Sequence, residues 1–237
     1  MIKKTFITIS ICVLFLASFA QQKKVLIFSK TARYYHESIP AGIAAIKKLG
    51  VENHFGVDET KDSTDFNDQK LSKYAAVIFL SPSGNILDTV GKMALKKFIQ
   101  KGGGFVGIHA ASTIEKNWSW YGQLVGGVFT NHPEPQEATV LVQDKNNNAT
   151  KHLPLQWKRK DEWYNFRDRP SDLHVLLTVD EKTYKGGTDG AYHPLAWYHE
   201  FDGGRSFYTA LGHFPEAYQD PLFLKHILAG INYAMKK

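Results

Sequence analysis

The stretch Gly102-Gly103-Gly104-Phe105-Val106-Gly107-Ile108-His109-Ala110-Ala111-Ser112 constrains the fold more than any other part of the chain. Successive glycines stop a helical ladder, because glycine readily takes the backbone angles that end one. The apolar run Phe105 to Ile108 then reads as a short strand buried on both faces. It leads into a tight turn that presents one polar side chain, His109. In open α/β sheets ligands sit outside the carboxyl ends of the strands, so His109 is the first candidate functional residue.

The preceding chain repeats the same rhythm. Val25 to Phe28 is a continuous apolar run, followed by the polar and aromatic loop Ser29 to Glu37. Ile39, Ile43 and Ile46 fall at helical spacing, with Gly50 as the expected stop and Val51 to Val57 as a second strand. Ala75 to Leu80 is another buried run, ending at Ser81-Pro82-Ser83-Gly84. Asp88 is placed to cap a helix whose expected apolar face is Val90, Met93, Ala94 and Phe98. This alternation predicts a parallel sheet with right-handed crossovers. The second half alternates like antiparallel strands at Glu137 to Gln143 and His174 to Val179. Ala196 to Phe201 and Arg205 to Ala210 flank the hairpin signal Asp202-Gly203-Gly204. Asp220-Pro221 opens a last helix, expected to bury Leu224, Ile227, Leu228 and Ile231.

The first twenty residues read as a signal peptide. Lys3 and Lys4 form a basic start, Phe6 to Phe19 is mostly apolar, and Ser18-Phe19-Ala20 fits a small-x-small cleavage site. The apolar run is too short for a convincing membrane span. Residues 21–237 are expected to form a single domain that is periplasmic or secreted, with no stable membrane insertion after cleavage. Cys12, the lone cysteine, lies inside the leader, so the mature chain is expected to lack thiol chemistry and disulfides. Without Lys3 and Lys4, the 29 basic residues fall to 27 against 23 acids, a net +4. These charges are scattered, which argues against a nucleic-acid partner. No Gly-x-Gly-x-x-Gly follows a strand, which disfavours nicotinamide.

The chain resembles the ThuA-like (trehalose-utilisation) family. The resemblance is carried by Val25-Leu26-Ile27-Phe28-Ser29 with His36-Glu37-Ser38, by the glycine-rich strand through Ala111, and by Trp118-Ser119-Trp120-Tyr121-Gly122. It continues through Asn131-His132-Pro133, Asp161-Glu162-Trp163-Tyr164, His193-Pro194-Leu195-Ala196-Trp197 and Tyr208-Thr209-Ala210-Leu211-Gly212-His213. It implies an α/β fold of the flavodoxin-like, class I glutamine amidotransferase-like kind. That fold is a three-layer sandwich on a mainly parallel central sheet, here with an added antiparallel hairpin region. It also implies a setting in carbohydrate metabolism. Amidotransferases of this fold carry a cysteine in a Gly-x-Cys turn, where Gly107-Ile108-His109 stands here, and Gly212-His213-Phe214-Pro215-Glu216 only loosely matches their His-Pro-Glu. Without a thiolate, glutaminase activity is rejected.

That topology would bring the loops Ser29–Glu37, Ser81–Ile86 and His109–Tyr121 together, with His132 and His213 joining from later loops. His109, His213 and His36 are the candidate catalytic residues, since imidazole moves protons near neutral pH. Arg33, Tyr34, Glu37, Ser112, Trp118, Trp120, Tyr121, His132 and Glu162 are the candidate substrate-binding residues. The bland readings are a hydrogen-bonded buried imidazole for His109, a helix-start acid for Glu37 and core plugs for the tryptophans. Three histidines and a carboxylate form a catalytic zinc set, so a divalent metal stays open, but no short ligand motif supports one and no ligand is assigned. No other cofactor is implied.

The leading expectation is an exported enzyme acting on a di- or oligosaccharide, or a keto-sugar derived from one, by histidine-mediated proton transfer. A non-catalytic sugar-binding or accessory module and a metal-dependent hydrolase are the alternatives. Sugar identity and oligomeric state are not legible in the sequence.

Overall fold

A computed structural model describes residues 22–237; the expected signal peptide and Cys12 lie outside the described residues. A nine-stranded sheet runs through the chain. Its strands are β1 (Lys24–Phe28), β2 (Gly56–Thr60), β3 (Ala76–Leu80), β4 (Gly104–Ile108), β6 (Gln136–Val142), β7 (Gln156–Asp161), β9 (His174–Val179), β10 (His193–Phe201) and β11 (Gly204–Thr209). The spatial order is β2-β1-β3-β4-β11-β10-β9-β6-β7. The side from β2 to β11 is parallel, and the side from β11 to β7 is antiparallel. A small separate ribbon pairs β5 (Val128–Phe129) with β8 (Phe166–Arg167). The helices are α1 (Ser38–Glu52), the short α2 (Asp68–Leu71), α3 (Thr89–Gln100), the short α4 (Ser119–Val125) and α5 (Pro221–Ala234).

The apolar runs behave as two-sided burial requires: β3 and β4 are buried at every residue. Asp88 caps α3 by accepting from Gly91 N at 2.8 Å, and Asp220 caps α5 by accepting from Leu222 N at 2.9 Å. Asp202 and Gly203 form the two-residue turn joining β10 to β11, both with positive φ.

Four local expectations are corrected. Gly50 does not end α1, which runs on to Glu52. A Cβ on Gly50 would come within 2.6 Å of Val57, so the glycine serves close packing of helix on strand. Val51 to Val57 is therefore not the second strand; Val51 is an exposed helical residue and β2 begins at Gly56. On α3, Val90 and Met93 face solvent, and the buried stripe is Gly91, Ala94, Leu95, Phe98 and Ile99. The stripe is turned from the expected one because Leu95 and Ile99, four residues apart, share a helix face. On α5 the fully covered side chains are Phe223, His226, Ile227, Ile231 and Ala234, while Leu224 and Leu228 are only half-buried.

Candidate functional site

Strands β4 and β11 are parallel neighbours with Ile108 opposite Thr209, so the residues that follow them emerge on the same sheet edge. His109 follows β4 directly and takes φ +52°, a left-handed conformation uncommon for a non-glycine residue and a mark of a constrained turn. His213 follows β11. His36 ends the loop after β1. That loop is tied to the one after β3: Ala32 N donates to Ser83 O at 2.8 Å and Arg33 N to Ser83 Oγ at 3.1 Å. Glu162 arrives from the antiparallel side, one residue past β7.

These four side chains converge. One ligand-type atom from each of His36, His109, Glu162 and His213 lies within 4.8 Å of the others. Glu162 Oε2 stands 3.3 Å from His109 Nε2 and 3.2 Å from His213 Nδ1, and the two imidazole nitrogens are 3.3 Å apart. His109 is wholly buried and its Nδ1 donates to the Ala210 carbonyl at 2.8 Å. The ring of His36 meets His109 edge-on at 4.7 Å, and its buried Nδ1 has no hydrogen-bond partner. Burial and the neighbouring imidazoles lower His36 to a pKa of about 3, so it is neutral at neutral pH. Burial raises the Glu162 carboxyl, but hydrogen bonds and charge from His109 and His213 outweigh that and hold it well below the usual carboxylate range. The Tyr164 hydroxyl lies 3.0 Å from His109 Nε2, and its burial beside Glu162 keeps it protonated, hence a donor.

The cluster forms one wall of a cleft of about 700 Å³, within the range of small-molecule sites. Arg33, Tyr34, Lys116, Phe129, His132 and Tyr164 line it further. His132 is partly exposed and sits 3.6 Å from Glu162 Oε1. Phe129, Tyr164 and His132 form an aromatic run, with ring centres 4.5 Å apart for Phe129–Tyr164 and 5.5 Å for Tyr164–His132.

The structure brings His36, His132, His213, Glu162, Arg33 and Tyr34 to this one cleft, with His109 buried in the cluster behind its wall, and leaves the other candidates outside it. Trp118 stacks on Trp120 and Tyr121, and Trp120 Nε1 donates to Asp202 on the β10–β11 turn at 2.8 Å. Tyr121 is buried and donates to the Ala111 carbonyl, while Ser112 pairs with the Tyr208 hydroxyl beneath the turn. None of these lines the cleft: Trp118, Trp120 and Tyr121 pack against the scaffold at the start of α4, and Ser112 lies in the turn after β4. Glu37 is exposed at the start of α1 and does not line the cleft.

Two residues that the sequence reading assigned no site role hold the cleft together. Asp161, fully buried, accepts from the main-chain N–H of Glu162 (3.0 Å), Gly212 (3.1 Å) and His213 (3.1 Å). Glu115, also buried, accepts from Ile86 N and Leu87 N at 2.8 and 3.1 Å and pairs with Lys92 at 2.6 Å, joining the loops after β3 and β4. Phe129 and Tyr164 supply the cleft's aromatic faces. Their only signal was proximity to Asn131-His132 and to Asp161-Glu162.

Fold and cleft together define an α/β scaffold, parallel on one side of its sheet and antiparallel on the other, that carries an imidazole–carboxylate centre beside its strand ends. The sequence profile of the ThuA family, described as trehalose utilisation, matches residues 24–234, and the chain belongs to that family. A putative ThuA-like protein from Bacteroides uniformis is similar at 26% identity, covering 93% of this chain and 95% of its own, with a TM-score of 0.76. A second, from Parabacteroides merdae, shares the fold at 21% identity, covering 92% and 91%, with a TM-score of 0.75. No curated protein matches the sequence.

Proposed function

We propose that the cleft binds a di- or oligosaccharide, or a keto-sugar derived from one, and that the His36/His109/Glu162/His213 group is its reactive centre. The family's association with trehalose utilisation supports a carbohydrate-related role. The observation that carries the reading is the convergence of three imidazoles and an ionised carboxylate beside flat aromatic faces in one cleft. Aromatic faces pack on the C–H faces of a pyranose, while Arg33, Lys116 and Glu134 offer donors and acceptors to its hydroxyls. His109 is sealed from the cleft, so proton transfer to substrate falls to groups that reach it. His132, partly exposed beside Glu162, is best placed for that step. His109 then acts through its neighbours.

Export to the periplasm or beyond belongs to the same proposal, on the strength of the basic and apolar leader. The test is incubation of the purified chain with a panel of disaccharides and their 3-keto derivatives, read by mass spectrometry. Product from at least one member that is lost in His132→Ala supports the reading. A saturable thermal shift without any product favours the accessory-module alternative. Neither product nor shift across the panel defeats both.

A further inference from the structure

We propose that His36, His109, Glu162 and His213 hold one divalent transition-metal ion at the wall of the cleft. The inference deepens the functional reading above and rests on it for the identity of the substrate, though not for the metal itself.

The argument begins with protons. The Ala210 carbonyl can only accept, so His109 carries a hydrogen on Nδ1 and, when neutral, a lone pair on Nε2. That lone pair looks at the carboxylate oxygen of Glu162 from 3.3 Å, an acceptor facing an acceptor. His213 Nδ1 completes a near-equilateral triangle with sides of 3.2, 3.3 and 3.3 Å. The Tyr164 hydroxyl brings a single hydrogen to this group. His36 adds a buried nitrogen with no partner at all, a costly state for a polar atom. A cation placed within the cluster would take one lone pair from each of the four residues.

The spacing fits such an ion. A tetrahedral metal about 2.0–2.1 Å from nitrogen and oxygen ligands sets those ligands roughly 3.3–3.4 Å apart. All three measured sides of the triangle agree with that edge within the tolerance of unloaded side chains. The supporting shell is also of the kind metal sites use: the His109 Nδ1–H bond to a backbone carbonyl fixes the tautomer that aims Nε2 inward. Three imidazoles and one carboxylate favour zinc, iron(II), cobalt(II) or manganese(II) over calcium or magnesium, which prefer oxygen-only shells. Four protein ligands complete the tetrahedron, and because His36, Glu162 and His213 line the cleft, a sugar hydroxyl or carbonyl oxygen would reach the ion from that side by expansion to five-coordination.

The test uses the whole chain, stripped with a chelator and titrated with Co(II) and then Zn(II). The expected result is one equivalent of Co(II) bound with visible ligand-field bands, displaced by Zn(II), and a higher thermal midpoint for the loaded protein. Glu162→Gln, which keeps side-chain shape, and the double change His36→Ala/His213→Ala should each weaken binding at least about tenfold, the scale of losing a direct or supporting contact. His54→Ala, at an exposed imidazole in the turn after α1, should bind as the parent does and controls for surface uptake. If the parent chain shows no ligand-field bands at stoichiometric Co(II), or binds no more tightly than Glu162→Gln, the metal centre is overturned, whether or not the double variant folds. Saccharide titration of stripped and loaded protein separates the two proposals. Metal uptake without saccharide binding sinks the sugar reading alone, and saccharide binding without metal uptake sinks the metal alone.

Discussion

Asp161 grips His213 by its backbone: the buried carboxylate accepts the main-chain N–H of Gly212 and of His213, each at 3.1 Å, while also accepting from Glu162 N at 3.0 Å. One side chain thus sets the positions of two members of the cluster that lie 51 residues apart in the chain, Glu162 and His213. Asp161→Asn replaces one acceptor oxygen with a donor facing N–H groups. Leaving buried donors unpaired costs about 1–3 kcal/mol each, so chemical denaturation should show a loss of roughly 3 kcal/mol. Saccharide binding should fall with it. Unchanged stability in this variant would show that the carboxylate is dispensable as a clamp.

His109 has a structural duty besides any chemical one. His109→Ala opens a cavity, orphans the Ala210 carbonyl and places a Cβ-bearing residue with no side-chain compensation at φ +52°. A stability loss of about 2–4 kcal/mol is expected from the lost packing and hydrogen bond. His109→Asn tolerates the left-handed angle and still donates, so its loss should be clearly smaller. Equal melting temperatures for the two variants would argue against both the strain and the hydrogen bond.

The two aromatic groups should separate cleanly. Phe129→Ala removes a cleft wall and is expected to weaken saccharide binding about tenfold, or 1.4 kcal/mol. Trp118→Ala breaks a stack outside the cleft and should lower stability while leaving affinity unchanged. Calorimetric titration of both variants decides it; the reverse pattern would return the sugar face to α4.

His226 on α5 supplies a pH dependence away from the cleft. Burial foremost, together with the nearby charges of His152 and Arg159, lowers it from 6.5 to about 4, although its bond to the Ala149 carbonyl pulls the other way. The unfolded chain therefore binds the extra proton first. Its contribution is complete above pH 6.5, erodes as pH falls toward 4, and levels off below that, an effect of about 3 kcal/mol at 1.36 kcal/mol per pH unit. In His226→Phe the difference between unfolding free energies at pH 7.5 and pH 4.5 should shrink by that order. If the parent and the variant lose stability in parallel on acidification, His226 is not the source.

The parallel half of the sheet was legible because two-sided burial leaves unbroken apolar runs, as in Ala76 to Leu80. The gathering of His36, His109 and His213 followed from topology, since strand ends in such a sheet share an edge. What the sequence withheld were partnerships with backbone. Asp161 and Glu115 bind N–H groups far away in the chain, and every residue but proline carries an N–H, so no residue pattern marks the partner. Trp118 and Trp120 were ambiguous for the opposite reason: their chemistry suits a sugar and a scaffold equally, and it is the orientation of α4 that places them outside the cleft. Gly50 was read as punctuation when its use is contact with Val57.

The last strand in the chain, β11, lies in the interior of the sheet, between β4 and β10. During synthesis β4 must therefore wait with a bare edge until about a hundred further residues have left the ribosome, at the modest rates of translation. An exposed hydrophobic strand edge of this kind invites pairing with other chains. Premature termination between Ile108 and Gly204 would leave not a smaller working protein but an adhesive fragment.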